Sequence, residues 1–266
     1  TMPHCQFPVD WEAGVCALFP HWARMRKCAR IIVAQAVFLA HEGNANGALD
    51  NCATAVRIGN AAAEERTIIS QLVRYAILAI ACRGLEAVLN QVQPTPEACE
   101  RLASEIARTD LTPGLVAALE GERVIALDVR VMLLEEPDPA RSLRHLYEGA
   151  DLAGALLTPT GPSSNRRPPP LWRFILAESA VSYLKVAARG IELARLPYRE
   201  ALLATPSEED LERQAEATKF PPLVLTILLA PAFTRAGQGR DKAIASLALA
   251  TVALRLKAYR ASHPAY

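Results

Sequence analysis

An all-α fold is predicted, and three observations predict it. The 266 residues include 48 Ala and 35 Leu against 13 Gly and 19 Pro, and Ala and Leu are held in a helix at the least cost. Apolar positions recur at helical spacing, as at Leu72, Val73, Ala76, Ile77 and Ile80. No window long enough to matter alternates apolar and polar residues with the period of two that a half-buried strand needs. The expected arrangement is about ten helices in antiparallel pairs on short turns, either a degenerate tetratricopeptide-like repeat array or an irregular bundle.

The elements follow in order. Pro3, Pro8, Gly14 and Pro20 make the first 20 residues an extended arm. A helix runs from Trp22 to His41 and stops at Glu42-Gly43-Asn44; a second covers about Ala45 to Ala63, and a third about Thr67 to Gln91, closed by Pro94 and Pro96. Thr95 caps the next, with Pro96 at its first position and Glu97 and Glu100 in its opening turns. Thr112-Pro113 opens a helix to about Glu135, and Ala140 to Leu157 makes another. The stretch 158–170, rich in Pro, Ser and Gly, is the clearest linker. It separates an N-terminal arm and repeat half, 1–157, from a C-terminal helical half, 171–266, although the two can pack as one domain. Helices resume at Leu171 to Leu196 and near Tyr198 to Ala204. Ser207 opens the next, with Glu208, Glu209 and Asp210 against its positive end. Two apolar helices, about Pro222 to Arg235 and Arg240 to Ser262, close the chain.

Within this pattern Ala36, Leu39, Gly43, Ala48, Cys52 and Ala55 approach the small-residue spacing of one tetratricopeptide unit. Two antiparallel helices that cross closely need Gly at the turn and Ala at the contact. The Trp and Tyr of that signature are absent, and no strict 34-residue recurrence follows.

Composition narrows the function. A hydrophobic content of 51% and a net charge of +1 exclude disorder for the bulk of the chain. With 29 Lys and Arg against 28 Asp and Glu, there is little field to attract phosphate, so no nucleic-acid partner is expected. The longest uncharged apolar run, Phe220 to Thr234, has 15 residues and contains Pro221, Pro222 and Pro231; a membrane span needs about 20. Thr1 to Pro20 lacks the basic start and apolar run of a secretory signal. Cys5, Cys16, Cys28, Cys52, Cys82 and Cys99 include no C-x-x-C pair, which argues against a zinc knuckle or a redox motif. Cys28, Cys52 and Cys82 are expected to pack as small hydrophobes in helices, whereas Cys5 and Cys16 are the pair to suspect of a disulfide in an exported protein.

Few residues suggest chemistry. His145 and Glu148 lie three apart, but their order reverses the Glu-x-x-His of a di-iron bundle and the motif occurs once, so a solvated face is expected and no metal or cofactor. In Leu119-Glu120-Gly121-Glu122-Arg123, Glu120 and Arg123 can pair on one face, and a mid-helix Gly121 suggests close approach of a backbone or ligand. With Asp128 they are the candidate binding residues: Glu120, Glu122, Arg123 and Asp128. No nucleophile accompanies them, no catalytic residue is assigned, and an internal ion-pair network is the simpler expectation. Phosphate-loop, nucleophile-elbow and dinucleotide signatures are missing. Trp22 is expected in the core beside solvated Arg26 and Arg30, and the helix over Pro222–Phe233 in the core or, if exposed, as a partner patch.

The segments Phe7-Pro-Val-Asp-Trp-Glu-Ala-Gly14, Leu18-Phe-Pro-His21, EGNANGALDN from Glu42, TIISQLV from Thr67, LEGER from Leu119, LLAPAF from Leu228 and LRLKAYR from Leu254 resemble a large group of helical proteins abundant in planctomycetes and related bacteria. Similar proteins extend on both sides of this segment, often from an N-terminal membrane anchor. The tail beyond their Tyr-x-x-x-His-x-x-(Tyr)-Pro turn looks pseudopilin-like, and Tyr259, His263 and Tyr266 match the start of that turn. The resemblance implies a soluble domain of an envelope-anchored protein and carries over no activity. The Ala-rich helix-pair pattern, the one tetratricopeptide-like unit and the lack of a catalytic constellation make the leading expectation a non-enzymatic helical-repeat scaffold for a protein or peptide; the alternative is an all-α small-ligand binder or enzyme using the carboxylate and arginine cluster.

Overall fold

A computed structural model of the chain describes residues 7–135, 170–204 and 224–263. Among them are eight α-helices, α1 Pro20–His41, α2 Ala45–Asn60, α3 Ile68–Gln91, α4 Pro96–Ala107, α5 Thr112–Glu135, α6 Pro170–Arg195, α7 Tyr198–Ala204 and α8 Val224–Ser262, and no strand. The helices expected over 140–157 and from Ser207 lie outside the described residues, as does the linker up to residue 169.

Two sequence expectations are corrected. The N-terminal arm is not wholly extended, because Trp11–Cys16 forms a 3-10 turn opened by the Glu12 N–H donating to the Asp10 carboxylate. The two closing helices are one, α8, of 39 residues. Gly237-Gln238-Gly239 lies between the two helices the sequence suggested and is helical in the structure. A Cβ at Gly239 would stand 3.3 Å from the Tyr75 ring and 3.5 Å from Leu72, so this glycine is where α8 passes over α3. Packing overrides a local cost of about 1 kcal/mol per glycine.

The chain divides into two compact units. Unit 1 contains Thr1–Val9, Leu18–Leu119 and Thr234–Tyr266; unit 2 contains Asp10–Ala17 and Glu120–Phe233. The C-terminal stretch thus shares a core with the first helices, a pairing that the division at 158–170 does not express.

In unit 1, local chemistry sets each joint. Gly43, with φ +79°, ends α1 in a left-handed turn where the Asn44 N–H donates to the Leu39 carbonyl (2.8 Å) and the Gly43 N–H to that of Ala40 (3.0 Å). This pairing satisfies the last carbonyls of the helix. Asn44 also caps α2, its Oδ1 accepting the Gly47 N–H at 3.0 Å, and a Cβ at Gly47 would collide with that cap at 2.8 Å. Thr67 and Thr95 cap α3 and α4 through the N–H groups of Ser70 and Ala98.

The core of unit 1 joins Ala36 and Ala40 of α1, Ala48, Leu49, Cys52 and Val56 of α2, Leu78, Leu85 and Val88 of α3, Cys99 and Leu102 of α4, and Leu247 and Leu254 of α8. Alanine and cysteine at these contacts let helix axes approach closely. Trp22 is buried, as expected, in a second cluster with Ala29, Ala62, Val73 and Ile77. Cys52 and Cys99 are buried and Cys82 half-buried, whereas Cys28 is exposed and does not pack as expected, because it lies on the outer side of α1. Cys5 lies outside the described residues. Burial pushes the Cys52 thiol up to about 12 and that of Cys82 to about 11, keeping both protonated.

In unit 2, α6 buries Ala180, Tyr183, Ala187, Ile191 and Ala194, one stripe at spacings of three and four. The Tyr183 ring lies 6.0 Å from that of Phe233, and Gly190 leaves room for Phe233, 3.3 Å from where a Cβ would stand.

Candidate functional site: a basic groove between α1 and α3

The expected binding residues lie together on α5 but face different surroundings. Glu120 and Asp128 are exposed, Glu122 and Arg123 half-buried. Glu120 lies 3.9 Å from Arg195 of α6, both side chains about half exposed. The Tyr183 hydroxyl donates to the backbone carbonyl of Glu122 at 3.2 Å, and burial together with the Glu122 charge holds that phenol above its usual range. The contacts seen here tie α5 to α6. Among the described residues no group of three or more His, Cys, Asp or Glu can hold a metal ion; His145 and Glu148 lie outside them.

A second polar cluster is buried in unit 1. Arg74, 2% exposed, donates to Asn60 Oδ1 at 3.0 Å and to the Asp110 carbonyl at 3.1 Å. Gln71 Nε2 donates to the carbonyls of Ala62 and Glu65, each at 3.0 Å. Gly114 makes room for this cluster, since a Cβ there would stand 2.7 Å from Gln71 Oε1 and 3.0 Å from Arg74 Nη1. These bonds satisfy loop carbonyls that no helix serves and fasten the turns before α3 and α5 to α3.

Among the described residues an open groove of about 520 Å³ on unit 1 is lined by Arg26, Arg30, Val33 and Val37 of α1 and Ala76, Ile80, Arg83, Gly84 and Ala87 of α3. Each helix contributes one face. The α1 residues fall at i, i+4, i+7 and i+11, and those of α3 at i, i+4, i+7, i+8 and i+11, so both lie along single stripes. The helices meet where a Cβ on Gly84 would overlap Val33, and this close crossing sets the depth of the floor. Val33, Val37, Ala76, Ile80 and Ala87 are half-buried, whereas Arg26, Arg30 and Arg83 are exposed. None of the three arginines pairs with a carboxylate among the described residues.

Arg26 and Arg30 are solvated beside a core tryptophan, as the sequence suggested; their convergence with Arg83 was missed. One signal was available. The 22 residues of α1 contain Arg24, Arg26, Lys27 and Arg30 and no Asp or Glu, which a net charge of +1 for the whole chain conceals. Nothing local marks Arg83, whose position depends on the crossing at Gly84. Comparison with known proteins finds no matching family model, curated protein or solved structure.

Proposed function

We propose that the protein is a non-enzymatic helical scaffold that binds a protein or peptide partner, with the α1–α3 groove as its recognition surface. The groove carries this reading: an aliphatic floor flanked by three exposed arginines that have no carboxylate partner among the described residues. Its lining runs eleven residues along each helix, roughly 16 Å, the reach of about three turns of a partner helix. Such a surface suits an amphipathic helix that lays aliphatic side chains on the floor and carboxylates beside the arginines. A degenerate tetratricopeptide-like array belongs to the same reading, supported by the tight α1–α2 joint and by the burial of Ala36, Ala48, Cys52 and Ala55. So does the envelope setting that the sequence resemblance implies.

The test is fluorescence anisotropy with labelled synthetic helical peptides that share one aliphatic stripe and differ in flanking charge. The acid-flanked peptide is expected to bind best, and Arg30→Glu with Arg83→Glu to weaken it at least tenfold and reverse the preference towards the lysine-flanked peptide. Equal affinity for all peptides, or binding indifferent to the charge reversal, would overturn the proposal.

A further inference from the structure

The C-terminal part of α8 carries two apolar seams. Ala243, Leu247, Ala250 and Leu254, spaced four, three and four apart, are buried at 5, 5, 9 and 0% exposure in the core of unit 1. Two residues beyond each stand Ala245, Leu249, Val252 and Leu256, followed by Tyr259. Two residues along a helix is a turn of roughly 200°, so this second set lies on the opposite side with the same heptad period. It is exposed: Leu249 by 71%, Val252 by 55%, Leu256 by 57% and Tyr259 by 50%. A helix apolar on both sides belongs between two packing partners, and unit 1 supplies one.

We infer that the second partner is the same seam of a second copy, lying antiparallel. The narrow seam of alternating three and four spacings is that of a helix-to-helix contact, whereas a lipid surface asks only for a broad apolar face. Ser246, Ala248 and Ala253 border it and allow close approach. The seam is also self-complementary. With Leu249 against the partner's Val252, Leu256 meets the partner's Ala245, large against small. Charge selects the direction. Arg255 reaches back to Glu100 at 3.6 Å, and a parallel pair would still bring the partner's Arg260 beside it, twice over by symmetry, because flanking positions five apart meet in parallel coils. In the antiparallel register Arg255 lies beside the partner's Ala248. The seam from Lys242 to Tyr259 is about two and a half heptads, and closing it buries on the order of 1,000 Å² in total, the threshold of a biological interface.

Sedimentation equilibrium of the full chain between 1 and 100 µM tests the inference. The expected species is a dimer of twice 28.8 kDa. Leu249→Asp and Leu256→Asp, both at exposed positions, should each weaken it at least tenfold while helical circular dichroism and the melting temperature hold. Arg260→Glu should leave the dissociation constant within about twofold; a tighter dimer would overturn the antiparallel arrangement, since the new carboxylate would meet Arg255 only in a parallel pair. A monomer throughout, or a dimer indifferent to both aspartates, would overturn the interface itself. So would a monomer that binds phosphatidylserine-containing vesicles through Leu249 and Leu256.

Discussion

Glu65 shows at the scale of one residue how unit 1 trades charge for closure. It sits in the α2–α3 turn, 8% exposed, and its carbonyl is held by Gln71. Burial lifts its carboxyl above the usual range, and the Phe7 N–H only partly offsets this. The fold therefore holds the proton more tightly than the unfolded chain does. The stability this contributes is complete below the ordinary carboxylate pKa and lost as pH rises through the raised folded value. Glu65→Gln, which keeps the acceptor for Phe7, is expected to raise the melting temperature at pH 7 and to make no difference once Glu65 itself is protonated. Thermal melts at pH 7 and in acid check this; a lower melting temperature at pH 7 would contradict it. Arg74, a few residues on, is the opposite case. Burial lowers its pKa, the nearby Tyr75 and Asp110 work against that, and its Nη2 donates to two neutral oxygens while Nε is buried without a partner. Neither residue stood out in the sequence, because burial of a polar group in a turn is set by distant chain.

At the scale of the helix, glycine separates what the sequence shows from what it hides. The end of α1 at Glu42-Gly43-Asn44, the Thr95 cap and Pro96 were legible because capping is local. Gly84, Gly237 and Gly239 look alike in sequence and differ in the structure. At Gly84 a Cβ would overlap Val33, whereas at Gly237 nothing lies within 4 Å. Gly84→Ala is expected to cost about 1–3 kcal/mol through overpacking at the α1–α3 crossing, and Gly237→Ala to gain about 0.5–1 kcal/mol from helix propensity alone. Urea unfolding of the two variants reads both signs; a gain at Gly84 would mean that Val33 gives way and the crossing is loose. The continuity of α8 was hidden for the same reason, since the ring that accepts Gly239 belongs to Tyr75, far away in sequence.

At the scale of the whole molecule, a near-neutral chain conceals an uneven surface. The net charge of +1 correctly describes the average and says nothing of three arginines gathered over one aliphatic floor. The all-α class was legible from Ala, Leu and their spacing. The candidate cluster on α5 was legible only as residues near one another in sequence, and its contacts join α5 to α6 through Arg195 and Tyr183. The groove depends on two helices far apart in the chain, so no window of sequence contains it. The central claim is that this groove is the recognition surface, and hydrogen–deuterium exchange of the full chain with and without the acid-flanked helical peptide tests it most directly. Slower exchange confined to residues 26–37 and 76–87 is the expected result. Unchanged exchange there, with protection gathered instead along residues 120–128, would contradict it.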